Sequence, residues 1–186
     1  MDRLYYFLIC VILLSIPTAA KAQNHMKFLG IEMNMTINEF QKRLVTKNIH
    51  QVQDYYSDGE RMYSGKLMGE NCQFYLHFKS DSIVYEGIAV YSSQYQSSCD
   101  NFVEHVKSLL RQKYRGSNFF DTIDEEGNPD FSVFVNDPTS HKQIGLIDIW
   151  TSIDSDDDSN IEYVVHLKYI DNANYAEVES KNMEDL

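Results

Sequence analysis

The alternation that begins at Cys72 constrains this chain more than any other feature. Cys72, Phe74, Leu76 and Phe78 interleave with Gln73, Tyr75, His77 and Lys79. That is the period of two expected of a strand with one face in a core and the other at solvent. Ser80-Asp81-Ser82 supplies a turn, and Ile83 to Tyr91 returns as a second strand rich in β-branched and aromatic residues. Gly87 inside it marks a bulge or a close backbone approach. The two runs form a β-hairpin, and the rest of the chain reads as its cover.

The same period extends on both sides. Gln51 to Tyr56 and Arg61 to Leu67 are strands joined by Ser57-Asp58-Gly59, and Gly69-Glu70-Asn71 leads into the hairpin. Loops this short require antiparallel neighbours. A polar loop from Ser117 to Asp130 precedes three further strands, Phe131 to Val135, Ile144 to Ile153 and Ile161 to Ile170.

Two helices interrupt the strands. Thr36 caps the first, with Glu39 completing a capping box and Met35 placed to staple onto Phe40; Ile37, Phe40 and Leu44 form its buried stripe. Asn48 takes the left-handed position beyond it. Ser98 caps the second, which runs to Arg115 with an apolar face of Phe102, Val103, Val106, Leu109 and Leu110. Phe28-Leu29-Gly30-Ile31 reads as a short strand ahead of both. The order is helix then strands, twice over, which implies an α+β fold: an antiparallel sheet with helices packed on one face.

The ends set the compartment. Residues 1–22 carry a basic start at Arg3, an apolar run from Leu4 to Ile16 and the small-x-small site Ala20-Lys21-Ala22, the three parts of a signal peptide. The run is short for a transmembrane anchor and is followed by Pro17. The expected product is periplasmic or secreted and starts at Gln23. It is a single α+β domain over 23–170, with possible halves 26–95 and 96–170 and a polar tail over 171–186. Processing takes the formal net charge from −12 to −13. A surface that acidic repels nucleic acid and anionic membrane.

Cys72 and Cys99 remain after processing, both pointing inward. The arrangement satisfies either a disulfide, stabilising by about 3 kcal/mol, or two buried thiols. Six histidines are scattered without metal-site spacing, and His77 and His166 fall opposite the apolar set as surface imidazoles. Asp154-Ser155-Asp156-Asp157-Asp158 imitates the start of a calcium loop. Ser159 and Val165 stand where such a loop needs Gly and Glu, so a solvated hairpin tip is the better account. Asp81-Ser82-Ile83 and Asp121-Thr122-Ile123 resemble an O-glycosylation sequon of exported bacterial proteins. No catalytic motif, metal site or cofactor fingerprint is present.

Tyrosine density is the most suggestive functional feature. Tyr63, Tyr75 and Tyr85 lie among the first strands. They offer either cross-strand pairs that stabilise the sheet or an aromatic face for a protein or carbohydrate partner.

Phe28 to Ile31, Met35 to Phe40 with Leu44, and the late run from Tyr163 to Asn174 together resemble a group of small exported bacterial proteins of unknown function. More distantly, the helix-then-sheet order is similar to β-lactamase-inhibitor-protein and outer-membrane-assembly small-lipoprotein folds, a resemblance that implies a sheet engaging other proteins. The expectation is an exported, non-catalytic binding protein using an open sheet face. The alternatives are a hydrolase whose site is assembled from distant residues, or a structural subunit of an envelope complex.

Overall fold

A computed structural model describes residues 24–52, 57–79, 82–123, 129–155 and 161–176. The expected signal peptide, Tyr55 and Tyr56, Asp156 to Asp158 and the tail beyond Ala176 lie outside them.

Among the described residues the chain forms β1 (Lys27–Phe28), β2 (Ile31–Glu32), α1 (Ile37–Val45), β3 (His50–Gln51), β4 (Glu60–Leu67), β5 (Glu70–Phe78) and β6 (Val84–Ser93). There follow α2 (Gln96–Lys113), β7 (Asn118–Ile123), β8 (Pro129–Asn136), β9 (Gln143–Ser155) and β10 (Ile161–Asp171). Residues 172–176 add a helical turn. β3 to β10 make one antiparallel sheet in the order β3-β4-β5-β6-β10-β9-β8-β7. Each helix is thus followed by a four-stranded meander. The two meanders meet at their last strands, with Tyr163 opposite Ser93 and Ile170 opposite Glu86.

Several turns depart from the sequence reading for one reason, the need for left-handed backbone. Phe28 pairs with Ile31 across Leu29 (φ 53°) and Gly30 (φ 77°). What reads as a short strand is therefore a two-residue hairpin turn with both central residues at positive φ. Met68 (φ 55°) and Gly69 (φ 95°) form the same kind of turn between Leu67 and Glu70, so β5 begins two residues before Cys72.

The stretch from Ser117 is not simply a loop, because Asn118–Ile123 is the edge strand β7. Exposed at most positions and interleaved with Asp and Asn, it carries no alternation; pairing with β8 is what makes it a strand.

The first helix follows its sequence signals closely. Thr36 Oγ1 accepts the Glu39 N–H while Glu39 accepts the Thr36 N–H, and Asn48 sits at φ 58°. The second helix starts at Gln96 behind Tyr95, which makes no side-chain cap, so Ser98 is inside the helix. Leu109 is 42 % exposed, whereas Lys107 is buried. The Lys107 stem lies across the Phe131 ring, its Nζ 5.3 Å from the centroid and 3.2 Å from Asp121, so a long amphipathic side chain covers what a leucine was expected to cover.

A single core includes Phe28, Phe40, Phe74, Leu76, Phe131, Ile147 and Leu167. The N-terminal segment is built into it. Met26 is 1 % exposed, and its N–H donates to the buried Asp171 carboxylate at 2.7 Å. His25 Nδ1 lies 3.1 Å from the same group, which also accepts the Asn174 N–H.

Candidate functional site

The register fixes which side chains share the sheet face opposite the buried series. Gly87, Ala89 and Tyr91 on β6 align with Tyr169, Leu167 and Val165 on β10. The residues between them, Ile88, Val90 and Ser92, align with Lys168, His166 and Val164. Extending those rows gives Tyr75, Ile88, Lys168, Asp148 and Ser132 in one, and Gln73, Val90, His166, Trp150 and Asp130 in the next. Neighbouring strands lie about 4.8 Å apart, so the residues of each row are cross-strand neighbours on one face.

Tyr75, Ile88, Gln73, Val90 and His166 of these rows line a concavity of about 1000 Å³. Tyr75, Ile88, Val90 and Val164 form its apolar floor, Lys66 stands on the β4 side, and Asp154 and Glu162 stand at the β9–β10 end. Tyr75 donates its phenol proton to Gln73 Oε1 at 2.8 Å. Burial, then the Glu60 carboxylate, pushes its pKa above the ordinary value. His166 and Trp150 stack with centroids 4.7 Å apart and planes 6° apart. Ser152 Oγ lies 3.1 Å from His166 Nε2. Burial lowers the His166 pKa despite the nearby Asp154, which favours the neutral imidazole.

At one end of the face stands a three-strand clamp. Glu60 on β4, His77 on β5 and Glu86 on β6 are direct cross-strand partners. His77 Nδ1 lies 2.5 Å from Glu86 Oε1, and Nε2 contacts Glu60 Oε2. Burial alone would lower the imidazole pKa, but the hydrogen bonds and charges of the two carboxylates raise it. A register shift between His77 and Phe78 sets Tyr85 beside this clamp, 6.3 Å from the imidazole and 5.9 Å from Tyr175. His77 and His166 are therefore engaged side chains and not surface imidazoles.

The three tyrosines singled out from sequence do not form one site. Tyr63 is fully buried opposite Phe74. Burial raises its pKa, and the charge of the nearby Arg61 guanidinium opposes that rise. Tyr63 belongs to the core and not to a binding face. Tyr75 lines the concavity; Tyr85 does not. His166 lies opposite the apolar set of its strand, as expected, whereas Trp150 on the neighbouring strand has no role in the sequence reading. Alternation against Ile147 and Ile149 would have placed the indole outward.

Cys72 and Cys99 are both buried free thiols, so the disulfide is not formed. Cys99 Sγ lies 3.2 Å from the Tyr163 carbonyl on β10, two strands from the β5 strand that carries Cys72. Two strand spacings are about 10 Å, beyond a disulfide's reach. Burial pushes the Cys72 thiol to about 11 and the Cys99 thiol upward as well.

Among the described residues no group of His, Cys, Asp or Glu is arranged to hold a metal ion, and no helix is long and apolar enough to cross a membrane. Of the acidic stretch expected to be a solvated hairpin tip, only Asp154 and Ser155 are described, at the end of β9. Thr122 is exposed on the β7 edge, and Ser82 sits at φ 69° in the β5–β6 turn.

Comparison with known proteins finds no matching family model, no matching curated protein and no matching solved structure.

Proposed function

We propose that this chain is an exported, non-catalytic binding protein that receives a partner protein on the open face of its sheet. The single observation that carries the reading is a separation by parity. Contacts from the helices and the N-terminal hairpin fall on one alternating set of strand residues. Arg61 reaches Asn38 and Gln41 of α1, Tyr91 stacks on Phe102 of α2 at 4.6 Å, Phe131 lies under Lys107 and Arg111, and Gly87 lies under Phe28. We infer from this that both helices shelter the same side. The other set carries Tyr75 and His166 in the concavity, with Trp150 stacked on His166 beside it. Tyr and Trp there provide apolar area with a polar tip at low entropic cost, the chemistry enriched at protein interfaces.

Export rests on the sequence pattern of residues 1–22.

The test is capture of envelope proteins by the mature chain, compared with Tyr75→Ala, Trp150→Ala and, as a control on an exposed ring elsewhere, Tyr95→Ala. A central interface aromatic is worth about 2 kcal/mol or more, roughly thirtyfold in affinity. A specific partner should be lost with the first two variants and kept with the third. Equal capture by all four proteins refutes the reading.

A further inference from the structure

The charges around the concavity are unevenly answered. Glu60 and Glu86 close on His77. Asp148 accepts from Ser132 at 2.7 Å and lies opposite Lys168. At the β9–β10 end, however, Glu162 is the direct cross-strand partner of Asp154. Both are exposed, and neither makes an ion pair with any described residue. Directly opposed side chains have Cβ atoms about 5 Å apart, and like charges there destabilise a sheet. No Lys or Arg lies between Asp154 and Glu162 in the sequence, so the local sequence supplies no cation to relieve the repulsion. Next to it lie the apolar residues of the floor: Val164, two residues from Glu162 on the same strand, then Val90 and Ile88.

From this juxtaposition we propose that the partner segment received by the open face carries a Lys or Arg with an apolar residue two positions away, the basic side chain set between Asp154 and Glu162 and the apolar side chain on the floor of Val164, Val90 and Tyr75. The inference rests on the open-face reading given above and adds the chemistry of the partner. A guanidinium or ammonium between the two carboxylates converts mutual repulsion into two attractions. In an extended segment, residues two apart on one side are about 7 Å apart. That is the spacing between Glu162 and Val164 along β10, so a basic residue over the rim places an apolar one over the floor. Lys66 on the β4 side disfavours a basic residue at the segment's other end and so gives the segment a direction.

The experiment is selection of a displayed random short-peptide library on the mature chain, on the doubly charge-reversed variant Asp154→Lys/Glu162→Lys, and on Tyr75→Ala. Trp150 is the only tryptophan in the chain and sits in these rows, so its fluorescence reports whether a selected peptide binds there. Peptides enriched on the parent protein should carry Lys or Arg two positions from an apolar residue and should change Trp150 emission. They should bind the charge-reversed variant about tenfold more weakly, the effect of two exposed pairs turned from attraction to repulsion. Their affinity should also fall steeply between about 0.01 M and 1 M salt, as the screening length drops from about 30 Å to about 3 Å.

Enrichment of neutral or acidic peptides, of no peptides at all, or of basic peptides indifferent to charge reversal overturns the inference. Neutral peptides that still depend on Tyr75 and perturb Trp150 leave the open-face reading standing. Selected peptides that ignore both residues count against that reading itself.

Discussion

Replacing Gly145 by Ala tests whether the N-terminal segment is as firmly built into the core as the packing indicates. Gly145 lies in β9 opposite Val135 of β8 and Asp171 of β10, beneath Met26. A Cβ there would sit 2.2 Å from Met26 Cγ and 2.4 Å from the Ile170 carbonyl oxygen. The first obstacle is a side chain with no free space, being 1 % exposed. The second is backbone in the β9–β10 ladder and cannot swing away. Overpacking costs about 1–3 kcal/mol, and two simultaneous clashes place this site near the top, about 3 kcal/mol. Gly→Ala returns about 0.4–1 kcal/mol through the unfolded chain. The net loss is then about 2 kcal/mol, or about 4–8 °C in melting temperature for a domain of this size. Thermal unfolding followed by circular dichroism measures it. Met26→Ala alone should cost about 2–5 kcal/mol. The double variant should lose less than the sum of the two singles, by about 1 kcal/mol, because removing the thioether relieves one clash and leaves the carbonyl. A Gly145→Ala protein melting at the parental temperature would show that Met26 is not seated there, and with it that the segment beginning at Asn24 is not part of the folded unit.

The His77 clamp gives a pH dependence of definite sign. Because the folded imidazole pKa is raised above its ordinary 6.5, its contribution is fully present below about pH 6.5 and is lost as pH rises through the folded value. Urea midpoints should therefore fall on going from mildly acidic to alkaline conditions, and His77→Gln should flatten that slope; a slope unchanged by the substitution sinks the assignment. The two thiols give an independent check on packing. Neither Cys72 nor Cys99 should react with a thiol reagent in the native protein, and both should react in denaturant, whereas an unreactive unfolded chain would mean that a disulfide had formed after all.

What the sequence made legible follows from where a single period controls the outcome. The first helix has its stripe, its capping box and its left-handed Asn48 written locally, and each is found in place. β5, β6, β9 and β10 have one face buried, so alternation is imposed on them and visible. β7 has almost no buried face and therefore no pattern; it is a strand only because β8 offers hydrogen-bonding partners. The tyrosines failed as a group for a related reason. Tyr63 and Tyr75 occupy opposite parities of adjacent strands, and the parity of Tyr63 is set by its alignment with Phe74, which only the turn at Met68-Gly69 decides. Placing that turn one residue later, at Gly69-Glu70-Asn71, leaves the inward face of β4 undetermined. The clamp around His77 could not be read at all, since it joins three strands through their register.

Aromatic residues on a sheet face have two physical uses, and the open face must be judged against the plainer one. The stack of Trp150 on His166 is itself a cross-strand pair worth about 0.5–1.5 kcal/mol, and Lys168 adds a cation 5.5 Å from the indole centroid. If stabilising the sheet were the whole role, Trp150→Ala would lower stability by about that amount and leave partner capture unchanged. The rim argues otherwise. A face selected only for stability would set opposite charges across β9 and β10, as it does at Asp148 and Lys168. Instead it opposes Asp154 to Glu162 beside an apolar floor, an arrangement that weakens the sheet when empty and is relieved when a cation is brought in. Reversing one charge of that pair should therefore move stability and capture in opposite directions. Asp154→Lys alone should stabilise the free protein by about 0.5 kcal/mol, turning repulsion into attraction across the ladder, while weakening capture of the partner. A variant that loses both, or gains both, would show that the rim serves the sheet and not a ligand.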